Sequence, residues 1–109
     1  MSDFDANACI RMLRDKSLEE GHREAAADSL MSHASPEAAS AILGVILDSS
    51  ECSEFRTEVA GALANVWVET GYNVSDLACV PEPFSAVIKR ELDLIAQMKN
   101  RGPTLPNQP

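Results

Sequence analysis

The sequence is poor in aromatic residues, and it contains no long hydrophobic run. Five of its 109 residues are aromatic, so a hydrophobic core must consist mainly of aliphatic side chains and alanine. Small side chains let helices approach each other closely, which favours a helical protein. No stretch reaches the roughly 18 apolar residues of a membrane-spanning helix, and the acidic N-terminus lacks the basic start of a signal peptide. We therefore expect no membrane partner.

Cysteines are few, and their spacing does not suggest disulfide pairs. Cys9, Cys52 and Cys79 are odd in number, widely spaced and without a C-x-x-C pair. Disulfides persist mainly in oxidising compartments, where cysteines usually occur in even numbers. The pattern therefore indicates free thiols in a reducing cytoplasm.

Motifs for catalysis are absent as well. The sequence has no glycine-rich phosphate loop, no G-x-S-x-G and no H-E-x-x-H motif. Glu19 and His22 have the spacing of half a di-iron site, but the second half is missing, since Leu30 stands three residues before His33. The sequence therefore predicts a protein that is not an enzyme and that uses no metal or cofactor.

Basic residues are scarce in the middle of the chain. The net charge is −8, and between Glu24 and Ile88 ten acidic residues stand against one basic residue, Arg56. Such a surface repels nucleic acid, which requires a basic footprint, and it attracts a basic protein partner. Acidity that serves solubility alone is the alternative.

Hydrophobic periodicity and helix-end signals predict about five helices and no strand. The first helix is expected to begin near Ser2, as its N-cap, and to continue to about Arg14. Ser17 and Glu20 have the spacing of a capping box, which predicts the start of the second helix.

The later helices have equally clear end signals. Ser35 and Pro36 predict the start of a third helix that continues to about residue 48. Ser53 is expected to cap a long fourth helix that ends at Gly71. A stretch that allows one short helical turn follows, and the last helix is expected over about residues 83–100.

Domain organisation follows from these elements. Short connections predict antiparallel hairpins. We expect residues 1–102 to form one helical domain, and we expect residues 103–109 to be a disordered or frayed tail.

The chain repeats itself at a constant offset, which places the stretch that begins at Ile10 on the stretch that begins at Leu43. The superposed pairs are Ile10/Leu43, Leu13/Ile46, Asp15/Asp48, Arg23/Arg56, Ala26/Val59, Ala27/Ala60 and Leu30/Leu63. A period of this size is typical of stacked helical arrays, in which each hairpin shares its core with the next. The same offset places Arg56 on Lys89, whose neighbours do not match. We therefore expect the third unit to be a degenerate cap.

The repeated residues resemble those of HEAT-like repeats over about residues 3–98. The resemblance depends on an Asp after the first helix of each hairpin, an Arg early in the second helix and a small-small-x-x-Leu run. It implies a short α-solenoid in which Asp15, Arg23, Asp48 and Arg56 form a polar ladder between repeats. The period is shorter than the roughly 40 residues of the common form. A plain five-helix bundle with a decayed repeat is the alternative.

The second helices of the hairpins carry the candidate binding residues. If Ala26, Ala27 and Leu30 point inward, the polar residues on the opposite side of that helix and of its successor are exposed. We predict that seven of them form an acidic strip, the name used below for Glu20, Glu24, Asp28, Glu54, Glu58, Asn65 and Glu69. An ordinary solvated helix face is the alternative.

Seven residues in the C-terminal part of the chain follow a second pattern. They are Ala62, Leu63, Val66, Trp67, Pro83, Ala86 and Glu91. The pattern resembles the end of small bacterial HEAT-like proteins, some of which are immunity proteins of the contact-dependent inhibition type. The resemblance implies a protein that binds a basic toxin domain and blocks its substrate site. A general adaptor or scaffold subunit is the alternative.

Overall fold

The computed structural model describes residues 5–72 and 74–101, and every regular element in these residues is a helix. The helices are α1 (Ala6–Arg14), α2 (Glu20–Met31), α3 (Pro36–Leu47), α4 (Ser53–Thr70), α5 (Val74–Ala78) and α6 (Phe84–Arg101). This confirms the predicted all-helical class. The short helix α5 lies where the sequence allowed one helical turn. The predicted tail over residues 103–109 lies outside the described residues.

The helices pack as two consecutive hairpins followed by one long helix. Helix α1 packs against α2, and α3 packs against α4. The hairpins contact each other through α1 with α3 and through α2 with α4. Helix α6 then packs against α4. Helices α2, α4 and α6 are therefore consecutive members of one layer.

The turns inside the two hairpins have the same conformation. Asp15 ends α1 with φ −87° and ψ 98°, and Asp48 ends α3 with φ −86° and ψ 104°. The hydroxyl of Ser17 donates to Asp15 Oδ1 over 2.6 Å, and that of Ser50 donates to Asp48 Oδ1 over 2.7 Å. The backbone N–H groups of the two serines donate to the same oxygens. The repeat of the sequence is thus a repeat of the structure.

The start of α1 differs from the prediction. The helix begins at Ala6, and Asp5 is its N-cap, since Asp5 Oδ1 accepts a hydrogen bond from the N–H of Ala8 over 2.8 Å. Asp is as good an N-cap as Ser, because both offer an oxygen to the free N–H groups of the first turn. Ser2 lies outside the described residues.

The predicted capping box of α2 is wrong. The N-cap residue is Glu19, which makes no side-chain cap hydrogen bond. Ser17 cannot serve as the cap, because its hydroxyl and N–H are both bound to Asp15 within the turn. The D-x-S turn of the repeat therefore takes precedence over the S-x-x-E signal.

The predicted N-cap of α3 is correct, and the predicted N-cap of α4 is not. Ser35 caps α3, as predicted, and its hydroxyl oxygen accepts from the N–H of Ala38 over 3.0 Å. The predicted cap of α4 is wrong by one residue, since Cys52 is the N-cap and Ser53 is the first helical residue. The end of α4 at Gly71 is confirmed.

The core is aliphatic and rich in alanine, with Phe55, Phe84 and Trp67 as its aromatic members. Leu30 and Leu63, which are equivalent in the repeat, are both fully buried. Because each leucine lies in the second helix of a hairpin, one continuous core extends from the first hairpin to α6.

Replacing two glycines with alanine, one at a time, should change the stability of the protein in opposite directions. Gly71 has a φ of +86° and a ψ of 154°, a region that is nearly restricted to glycine, so Gly71→Ala should destabilise the protein by about 1–3 kcal/mol. Gly44 lies inside α3, and a Cβ built there meets no atom within 4 Å. Gly44→Ala should therefore stabilise it by about 0.5–1 kcal/mol. Urea titrations of both variants measure the two signs, and a loss of stability in Gly44→Ala would contradict the packing of α3.

Candidate binding surface

The junction between the two hairpins is organised around Arg23. Its Nε and Nη2 donate to the carbonyl oxygen of Leu13 over 3.0 and 2.8 Å, and its Nη1 and Nη2 donate to the two carboxylate oxygens of Glu51 over 3.0 and 2.6 Å. The guanidinium also lies over the ring of Phe55, 4.6 Å from its centroid. The Arg23 and Glu51 side chains are only 4% and 8% exposed. This is a buried, bidentate ion pair that joins α2 to the loop before α4.

Arg56 repeats part of this arrangement at the next junction. Its Nε donates to the carbonyl oxygen of Ile46 over 2.8 Å, and its guanidinium lies 4.4 Å from the centroid of the Phe84 ring. Leu13 and Ile46 are equivalent in the repeat, as are the two arginines, so the carbonyl contact repeats in register. No carboxylate among residues 5–72 and 74–101 pairs with Arg56. The second junction thus lacks the ion pair of the first.

The partners of the four residues of the predicted polar ladder differ from those that the resemblance implies. The four predicted residues do lie at the hairpin turns and junctions, but the arginines form no ion pair with an Asp in the part of the chain that the structure describes. Arg23 pairs with Glu51, while Asp15 accepts from Ser17 within its own turn and the charge of Arg23 adds only a minor contribution to lowering the pKa of Asp15. Asp48 pairs instead with Lys16, with Nζ to Oδ2 at 2.7 Å.

The two turn carboxylates titrate at low pH. The hydrogen bond from the Ser17 hydroxyl is the main cause that lowers the pKa of Asp15. Lys16 is the main cause that lowers the pKa of Asp48, and hydrogen bonds from Ser50 add to it. Both groups lie near the surface, where ion pairs contribute little to stability. Because their pKa values are lowered, both carboxylates are charged at neutral pH, and each has a structural partner.

The seven residues of the acidic strip lie on α2 and α4. Glu20, Asp28, Glu54, Glu58 and Glu69 are exposed. Glu24 and Asn65 are half-buried. The side-chain amide of Asn65 donates to the carbonyl oxygen of Gly61 over 3.0 Å, so part of its hydrogen-bonding capacity is used within α4.

The carboxylates of the strip, unlike Asp48 and Glu51, form no ion pair in the part of the chain that the structure describes. In the described ranges, the ion pairs join Lys16 to Asp48 and Arg23 to Glu51, and none includes a residue of the acidic strip. Exposed acidic residues outside the strip, such as Glu37 and Asp93, form no ion pair in the described chain either, so it is the position of the strip on two adjacent helices that sets it apart. Glu51 joins the two hairpins through a buried ion pair, and Asp48 pairs with Lys16 at the surface, whereas the exposed carboxylates of the strip can meet an external cation.

Glu51 is a residue that the sequence reasoning missed. It lies in the loop between α3 and α4, and nothing in its position relative to the repeat singles it out, since the equivalent position one repeat later is Phe84. Its role depends on tertiary contact with Arg23 on another hairpin. The sequence offers one signal. Glu51 is an acidic residue just before the second helix of its hairpin, and the repeated arginine of the preceding hairpin, Arg23, needs a charged partner.

The residues considered for chemistry are not brought together. Within residues 5–72 and 74–101, no three His, Cys, Asp or Glu side chains cluster as a metal site. All three cysteines are free, with Cys9 buried and Cys52 and Cys79 exposed. Among the described helices, none combines the length and the apolar character that crossing a bilayer requires.

Comparison with known proteins does not identify a relative. No protein-family model matches the chain, and searches of curated proteins and of solved structures give no match. The chain's own residues therefore carry the functional argument.

Proposed function

We propose that this protein is a non-enzymatic binding module that uses the acidic strip on α2 and α4 to bind a basic protein. The single observation that carries the proposal is that two helices packed against each other, α2 and α4, carry five exposed carboxylates of the strip, none of which forms an ion pair in the described chain. Unpaired surface charges of one sign accelerate association with a partner of opposite charge and orient it. The scaffold is proposed to be HEAT-like, which the repeated turns and arginine contacts support.

The finer proposal is that the partner is a toxin domain and that the protein is a cytoplasmic immunity protein. A toxin domain that acts on a polyanionic substrate needs a basic site, so an acidic face that docks there would exclude the substrate. The mechanism is blockade by occupancy, and it requires no reacting group on this chain.

Co-expression with the protein encoded directly upstream tests this proposal. We expect the two proteins to co-purify and the present chain to restore growth of cells that express the upstream protein. Co-purification without any effect on growth would instead support an adaptor or scaffold subunit. If the upstream protein neither binds nor affects growth, the toxin proposal is wrong.

Charge reversal tests the acidic strip itself. The triple variant Glu24→Lys, Asp28→Lys, Glu58→Lys should weaken binding to the upstream partner by at least about 100-fold, because like charges would face each other across the interface. The matched control reverses Glu19, Glu37 and Asp93, which are exposed acidic residues outside the strip and which change the net charge equally. Calorimetric titration measures both affinities. Equal losses in the two variants would mean that only the overall charge matters and that the strip is not the site.

A further inference from the structure

A groove lies between the C-terminal halves of α4 and α6. Its volume is about 470 Å³. It is lined by Asn65, Val68, Glu69, Glu91, Leu94, Ile95, Met98 and Lys99. On α6, Glu91, Leu94, Ile95 and Met98 are spaced by three and four residues, so they lie on one face of the helix. Leu94 and Met98 are 45% and 67% exposed, which makes them the most exposed large apolar side chains of α6 in the described chain.

The groove is built by the part of α4 that has no counterpart in α2. Helix α2 has 12 residues and ends at Met31, whose equivalent in α4 is Ala64. Helix α4 has 18 residues, and its lining residues Asn65, Val68 and Glu69 all come after that point. The first hairpin therefore has no helical residues equivalent to those by which α4 lines the groove. The repeat accounts for the scaffold, and the extension of α4 adds a surface that the scaffold does not need.

Glu91 on α6 lies next to Gly61 on α4. At Gly61 a Cβ would lie 4.0 Å from Glu91 Cγ, so the stem of Glu91 covers Gly61. The position that is equivalent to Gly61 in α2 is Asp28. A Cβ at Gly61 would therefore make ordinary van der Waals contact with Glu91, and Glu91 lines the groove beside Leu94, Ile95 and Met98.

The charge at the rim selects the occupant. Glu69 and Glu91 outnumber Lys99 among the charged lining residues, and Asn65 and Glu69 belong to both the groove and the acidic strip. A second copy of this chain, with its net charge of −8, would be repelled by such a rim. Residues 102–109 contain one large apolar residue, Leu105, and no basic residue, so they match the groove poorly.

From these observations we infer that the groove between α4 and α6 holds an apolar side chain of the partner that is flanked by lysine or arginine. The apolar group fills the space over Leu94, Ile95 and Met98, and the basic groups contact Glu69 and Glu91. Interfaces commonly combine a few such anchors with a polar surround. The inference rests on the proposed function, because it assumes the same basic partner that the acidic strip binds.

The double variant Leu94→Ala, Met98→Ala tests this site. It should weaken binding to the upstream partner by at least about tenfold, because both apolar contacts are shortened. The control is Leu47→Ala, which truncates a side chain of equal exposure on α3 (45%) and should leave the affinity within about twofold. A second probe is a short synthetic helical peptide with leucines on one face and lysines on the other. It should bind the wild type more tightly than the double variant, and a peptide with glutamates in place of the lysines should bind neither.

The outcomes separate this inference from the proposed function. If the strip variant loses binding and the groove variant does not, the groove inference is wrong and the strip stands. If the groove variant alone loses binding, the groove is the anchor and the strip is not. If neither variant loses binding, both proposals are wrong. Tighter peptide binding by Leu105→Ser would mean that the chain's own tail occupies the groove, and a wild-type dimer that the groove variant converts to a monomer would assign it to a second copy. Either result overturns the inference.

Discussion

Replacing Glu51 with glutamine is expected to lower the free energy of unfolding by about 3–5 kcal/mol. The substitution keeps the shape of the side chain and removes its charge, so the guanidinium of Arg23 remains buried without a counter-ion. Arg23 is 3% exposed, so hydration compensates little for this loss in the folded protein. Thermal unfolding should show a decrease in Tm of more than about 10 °C, given the usual response of a domain of this size.

Glu54→Gln is the matched control for this prediction. Glu54 is three residues further along, is exposed and forms no ion pair in the described chain, so its replacement should change the stability by no more than about 0.5 kcal/mol. A double-mutant cycle with Arg23→Met provides the second check. Since both substitutions remove the same interaction, the double variant should be less destabilised than the sum of the single variants. Equal effects of Glu51→Gln and Glu54→Gln would show that the junction does not depend on the ion pair.

Replacing Phe55 with alanine is expected to destabilise the protein by a similar amount, about 3–5 kcal/mol. Phe55 is fully buried in the first turn of α4, and Arg23 lies over its ring. The loss therefore combines a cavity in the core with the loss of a cation–π contact. Urea titration measures the change.

Phe55→Leu isolates the second contribution. Leucine refills most of the cavity, so the variant should recover more than half of the lost stability while Arg23 still lacks its aromatic face. Leu47→Ala, at an exposed position, should cost less than about 1 kcal/mol and serves as the surface control. If Phe55→Ala costs no more than Leu47→Ala, the ring does not have the central place in the junction that the structure gives it.

The helices could be predicted from the sequence because their signals are local. Ser35 with Pro36 marked the start of α3, Gly71 marked the end of α4, and the constant offset of the repeat predicted two equivalent hairpins. Where two local signals competed, the sequence was misleading. Ser17 was expected to cap α2, but it is bound to Asp15, because the turn satisfies both groups at shorter range.

The pairing between elements could not be predicted in the same way. An arginine early in the second helix of each hairpin was assigned an aspartate partner by resemblance, whereas Arg23 binds Glu51 from a loop 28 residues away. The α4–α6 groove was equally hidden, because it depends on how far α4 extends beyond the repeat and on the packing of α6 against that extension. Both features depend on contacts between residues that are far apart in the sequence. The residues next to them in the sequence do not indicate these contacts. The acidic strip stays a prediction, since the structure gives its exposure and not its partner.

The salt dependence of binding tests most directly the central claim that unpaired carboxylates on α2 and α4 hold a basic partner. The affinity of the full-length chain for the upstream-encoded protein is measured by calorimetry between about 50 and 200 mM salt, for the wild type and for the triple strip variant. Screening shortens the reach of exposed charges across this range. We predict that wild-type affinity falls by at least about tenfold and that the strip variant, already weak, shows a much smaller or reversed dependence. Wild-type affinity that does not change with salt, or a strip variant with the wild-type dependence, would contradict the account.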